Sequence, residues 1–118
     1  MSSQRYLDEA LLDASRDGRL DEIRSLLDRH ANINAVNTGK FTPLHWASRN
    51  GHHQCIELLL DRGANINAVN TGKFTPLHYA SSYGQYQCVE LLIDRGADKS
   101  IKGVRENGRD SLLHLLLI

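Results

Sequence analysis

Six histidines and two cysteines are the residues of this chain best suited to chemistry. Histidine titrates near neutrality, and with cysteine it can hold zinc. His52, His53 and Cys55 stand close enough in sequence to suggest a soft metal site. Zinc needs three or four converging ligands, and on a helix residues 52 and 53 point in different directions. The spacing therefore predicts no metal and no cofactor. No G-x-S-x-G, Walker loop, H-E-x-x-H or C-x-x-C occurs. Glu57, Asp61 and Asp94 read as solvated helix charges rather than a catalytic pair. The expectation is a protein that is not an enzyme.

Cys55 and Cys88 lie 33 residues apart, at one position of a recurring pattern. Packed helices stand roughly 8–10 Å apart, whereas a disulfide wants Cα atoms about 4.4–6.8 Å apart. The pair therefore reads as two small buried apolar residues, not a bridge.

The pattern itself is the stronger signal. "ANINAVNTGKFTPLH" is written from Ala31 to His45 and again from Ala64 to His78, with "LLDR" ahead of both copies. Only His30 against Gly63 breaks the run. A fixed period of this length marks a repeat array. The first unit lacks "TPLH" but keeps Gly18 opposite Gly51, Ile23 opposite Ile56, and "LLDRHANINA". A partial fourth unit aligns "GRDSLLH" with "GKFTPLH". The expected division of the single domain, 1–118, is an N-terminal capping unit over 1–35, repeats over 36–68 and 69–100, and a partial unit over 101–118.

Each unit reads as two helices and a long turn. Thr42 suits the N-cap, Pro43 the first helical position, and Gly51 the left-handed residue that ends the helix. "HQCIELLLDR" follows with Cys55, Ile56, Leu59 and Leu60 at helical spacing, and Gly63 stops it. "ANINAVNTGKF" then reads as a turn with Asn-Thr-Gly at its tip and short extended arms. Helices this short are marginal alone, so each unit must bury its apolar face on the next.

Composition narrows the function. Lysine plus arginine balance aspartate plus glutamate at zero net charge, without the basic stripe that nucleic acid asks for. "MSSQRYLDEALL" carries no apolar leader core, and no apolar run approaches the ~20 residues of a membrane span. A reducing, cytoplasmic setting is expected, with the nucleus as the second choice; neither nucleic acid nor membrane is an expected partner.

The units "TPLH", "LLLDRGANINA" and "LLIDRGAD" closely resemble the ankyrin repeat, and "LLDASRDGRLDEIRSLLDRHANINA" resembles that family's N-terminal capping repeat. The resemblance implies an all-α solenoid of helix-turn-helix units joined by β-hairpin-like turns, with a concave protein-binding face. One departure stands out: Lys40 and Lys73 occupy the usual glycine place of the turn, and Gly39 and Gly72 come one residue early. The family assigns His45 and His78 a structural role, bonded to the threonine hydroxyl and nearby backbone; Ser111 would be the partner of His114.

The same resemblance maps contact positions onto the chain. The tips give Thr38, Gly39 and Phe41, then Thr71, Gly72 and Phe74. The exposed ends of the first helices give Arg49 and Asn50, then Ser82 and Tyr83, with Arg16 and Asp17 matching in the cap. Phe41 and Phe74 are expected as a column of exposed aromatics; the competing reading folds them back over their own turns. Trp46 and Tyr79 form a second column, either packed between repeats or showing a ring edge to the concave face.

The end "SLLHLLLI" is too apolar for a single helical stripe. It reads as a minimal cap, as a cut through a longer array, or as a self-association surface. The function expected is a rigid protein–protein interaction module whose partner is another protein. The alternatives are an engineered or structural repeat scaffold, suggested by the near-identity of the central units, and a regulatory segment of a larger protein.

Overall fold

The computed structural model describes residues 3–103, and the expected terminal helix within "SLLHLLLI" lies outside them. Six helices follow in order: α1 Ser3–Asp17, α2 Leu20–Asp28, α3 Pro43–Arg49, α4 His53–Asp61, α5 Pro76–Ser82 and α6 Tyr86–Asp94. No strand occurs among the described residues.

The "TPLH" box decides where α3 and α5 begin. The Thr42 hydroxyl accepts the His45 backbone N–H, and His45 Nδ1 accepts the Thr42 N–H. This is a capping box in which histidine takes the place usual for glutamate. Thr75 and His78 repeat it. In the first unit, Glu9, Ala10, Leu11 and Leu12 replace the box. They are good helix formers with no proline to stop the chain, and α1 therefore runs back to Ser3, fifteen residues against seven in α3.

The helices pack in two layers. α3 lies between α1 and α5, and α4 lies between α2 and α6. Buried residues recur with the 33-residue period: Leu11, Leu44 and Leu77; Ile23, Ile56 and Val89; Leu26, Leu59 and Leu92. Each buried leucine contributes roughly 1.5–3 kcal/mol. The core is thus a set of columns running along the stack. Cys55 and Cys88 are buried free thiols within it. Burial pushes the Cys88 thiol up to about 11.

Hydrogen bonds between units repeat with the same period. Asn34 Oδ1 accepts the Asn65 N–H (3.0 Å), and Asn67 Oδ1 accepts the Asp98 N–H (2.8 Å). At the open end of this ladder Asp8 of α1 stands in, accepting the Asn32 N–H at 2.8 Å. Arg62 pairs with Asp28 and Arg95 with Asp61, both at 2.8 Å. His52 Nε2 lies 2.9 Å from the Arg16 carbonyl, and Gln85 Nε2 donates to the Arg49 carbonyl at 3.0 Å. Those two side chains cross directly over Gly18 and Gly51, where a Cβ would come within 2.5 Å of them. Both glycines also hold positive φ, so two constraints fix them.

Candidate protein-binding face

The turn tips are built by one asparagine each. Asn37 Oδ1 accepts the Gly39 and Phe41 N–H groups at 2.9 and 3.0 Å. The Lys40 N–H returns to the Asn37 carbonyl, and the Asn37 N–H reaches the Phe41 carbonyl. Asn70 does the same for Gly72, Lys73 and Phe74. Each tip is a tight turn followed by one left-handed residue, closed by too few bonds to count as paired strands. That left-handed residue is lysine: Lys40 and Lys73 both have φ 63°. The early glycines do not take over the role, because the residue count of the turn places the third position after asparagine in the left-handed region. The Thr71 N–H donates to the Gly39 carbonyl at 3.1 Å and ties the two tips together.

Phe41 and Phe74 do not form the expected column of exposed rings. Both are half-buried. Phe41 lies 5.0 Å from Trp46 and 5.0 Å from Tyr79, and 5.5 Å from His45. Phe74 meets Tyr79 at 5.9 Å and His78 at 5.5 Å. Aromatic rings attract one another at such separations, and burying them against each other removes apolar surface from water. Trp46 and Tyr79 are half-buried as well, so each ring packs on one side and stays open on the other. Tyr79 also accepts the Asn70 Nδ2 hydrogen at its hydroxyl, 2.7 Å away. Trp46 has no hydroxyl to offer Asn37, which matches the burial of Asn70 and the exposure of Asn37.

The strip continues onto the ends of the first helices. Tyr83 is 51% exposed, and its ring lies 6.4 Å from that of Tyr79. The Arg49 guanidinium lies over both Tyr83 and Trp46, 4.6 and 5.5 Å from their centroids. It also donates to Asn50, whose own amide donates to the Arg16 carbonyl. Phe41, Trp46, Arg49, Phe74, Tyr79 and Tyr83 are therefore one connected surface. Thr38, Thr71 and Ser82 are exposed nearby in sequence, and Gly39, Gly72 and Asn50 are half-buried. Arg16 and Asp17 are exposed on the cap. Hydrogen bonds from Arg16 and Arg19 hold the Asp17 carboxyl down at about 2.

The hydrogen bonds of His45 go to Thr42 and to the Phe74 carbonyl. Nδ1 accepts from Thr42, which leaves the proton on Nε2, and Nε2 donates to the Phe74 carbonyl at 2.8 Å. Burial drives its titration down to about 4 against the pull of that carbonyl. The ring is a neutral clip between neighbouring units. Among the described residues no three His, Cys, Asp or Glu side chains gather as a metal would require.

Sequence reasoning passed over Val36 and Val69, exposed at 51% and 45% beside the tips, and the tip lysines as charges. It also missed a groove of about 930 Å³ between α1 and the first tip, lined by Leu12, Ala35, Val36 and Trp46 with Asp8 and Asp13 on its wall. That groove exists because α1 extends past the point where a "TPLH" box would have begun the helix.

Stacked pairs of short antiparallel helices, joined by tight tips set to one side, define a helical repeat solenoid. A family model for ankyrin repeats, in three copies, matches residues 11–103, and the chain belongs to that family. No curated protein matches the chain. Ankyrin repeats generally mediate protein–protein interaction and are typically non-catalytic. No helix among the described residues is long and apolar enough to cross a membrane.

Proposed function

We propose that this chain is a non-catalytic protein-binding module that docks another protein on its tips and first helices. The residues assigned to the face are Thr38, Gly39, Phe41, Trp46, Arg49 and Asn50, then Thr71, Gly72, Phe74, Tyr79, Ser82 and Tyr83. Arg16 and Asp17 extend it onto the capping unit. The observation that carries the reading is the connected ring surface with Arg49 over both Trp46 and Tyr83. Aromatic and arginine side chains dominate interface hot spots. Here they are held by packing before any partner arrives, so little ordering entropy is lost on docking.

A photo-crosslinking side chain at position 83 tests this, with position 90 on the outer layer as the comparison. The expected result is a crosslinked partner from position 83 that disappears in Arg49→Glu while the thermal melt is unchanged. Crosslinking from position 90 alone would overturn the reading. The run of twenty positions that differs only at His30 against Gly63 favours one alternative, a repeat scaffold that contacts only its own copies. Crosslinks solely to a second copy of the chain would decide for it.

A further inference from the structure

The charges of this molecule are sorted within its first-helix layer: α1 carries four carboxylates, α3 and α5 none. Every carboxylate among the described residues sits on α1, α2, α4 or α6, or at Asp98. Residues 36–51 and 69–84, which form both tips with α3 and α5, contain no aspartate or glutamate. They carry Lys40, Arg49 and Lys73. The tips with α3 and α5 are therefore cationic although the whole chain is neutral, while Asp8, Glu9 and Asp13 of α1 line the groove beside Trp46. Of the cap acids in register with the face, Asp17 is paired with Arg16 and Arg19, and Asp13, opposite Trp46, with Arg16.

We propose that the partner segment seated on this face is an extended acidic peptide, its carboxylates spaced about three residues apart; this rests on the docking face proposed above. Arg49 sets the chemistry. Its guanidinium lies 5.5 Å from the Trp46 ring and 4.6 Å from the Tyr83 ring, and one nitrogen donates to Asn50 while the rest of its edge is left to meet a ligand. A planar edge matches a carboxylate through two parallel hydrogen bonds. The two adjacent rings lower the local dielectric and strengthen that bond. Lys40 and Lys73 are exposed on neighbouring tips joined by the Thr71 to Gly39 hydrogen bond. Neighbouring units of packed helices repeat at roughly 8–10 Å. A chain in the polyproline II conformation advances about 3.1 Å per residue with about three residues per turn, so every third side chain faces the same way and meets the next tip. Single cations at such intervals suit singly charged carboxylates. The aromatic strip between them takes the intervening apolar side chains.

The test titrates the intact chain against a fluorescent peptide of repeated Glu-Leu-Pro units, a Gln-Leu-Pro counterpart, and polyuridine RNA. The expected result is binding of the glutamate peptide at least about tenfold tighter than the glutamine peptide, weakening as salt rises. Arg49→Gln should lose about tenfold and Arg49→Lys should recover only part of it. Lys40→Gln and Lys73→Gln should each lose roughly two- to threefold, and Arg62→Gln on the outer layer nothing. Equal binding of both peptides, still lost in Tyr83→Ser, overturns the acidic assignment and leaves the docking face standing. No measurable binding of the glutamate peptide, an unaffected Arg49→Gln, or tighter binding of the RNA each overturns it as well.

Discussion

Ser15, Ser48 and Ser81 occupy one position in three successive first helices, and all three hydroxyls are buried without a hydrogen-bond partner. An unpartnered buried hydroxyl costs about 1–3 kcal/mol of desolvation. Alanine also favours a helix over serine by about 0.5 kcal/mol. Against this stands the void left by one oxygen, ~10–15 Å³ at ~24 cal/mol per Å³, or about 0.3 kcal/mol. Each Ser→Ala change should therefore stabilise the chain by about 1 kcal/mol, and the triple variant by about 3 kcal/mol. Urea unfolding followed by far-ultraviolet circular dichroism measures this directly: the midpoint should rise while the slope stays constant. In heat, the triple variant should melt roughly 10 °C higher. If any single variant loses more than about 0.5 kcal/mol, or the triple variant is unchanged, the hydroxyls are doing something that their surroundings do not reveal, and the reasoning fails.

Lys40→Gly and Lys73→Gly should each stabilise by about 0.5–1 kcal/mol, since a left-handed lysine is strained by about 1–2 kcal/mol and the added freedom of glycine in the unfolded chain offsets only part; the urea midpoint reads this. Stability should fall as pH drops from 6.5 towards 4, by up to about 3 kcal/mol, because the unfolded state binds the His45 proton in that window and the folded state refuses it until about 4; His45→Gln should flatten that slope. Gly51→Ala should destabilise more than Gly63→Ala: both hold positive φ, but only at Gly51 would the new methyl strike a side chain, Gln85 Oε1 at 2.5 Å. Thermal melts of the two variants decide the order.

Much of this architecture was legible because its signals are local. Thr42 and Pro43 mark a helix start, Gly51 and Gly63 mark stops, and the structure places α3 and α4 between them. The buried free thiols followed from period and helix spacing alone. What could not be read were events decided by a neighbour. Phe41 packs on Tyr79, 38 residues later, as well as on Trp46 of its own unit. Asn37 and Asn70 sit in identical tips, yet only the latter is buried, because tyrosine rather than tryptophan stands beside it. The length of α1 was hidden for a related reason: the missing "TPLH" is visible, but how far a helix runs without a stop depends on what it covers.

The two central units keep different residues for different reasons. At several identical polar positions a bond to the adjacent unit or within the tip accounts for the residue. Arg62 and Arg95 carry the ion-pair ladder, Asn34 and Asn67 the backbone ladder, Asn37 and Asn70 the tips. At these positions the bond recurs with the same partner, whereas His52 and Gln85 reach equivalent carbonyls with different side chains. The units diverge at Trp46 against Tyr79, Arg49 against Ser82, and Asn50 against Tyr83. These are the half-buried or exposed ends of the first helices, where the stack asks for little beyond bulk. Arg49 lies over Trp46 in its own unit and over Tyr83 in the next, so the strip depends on this divergence. A chain with Arg49 and Asn50 in both units would have no ring at position 83 to hold the guanidinium. Specificity therefore belongs to the few positions that stacking leaves unclaimed.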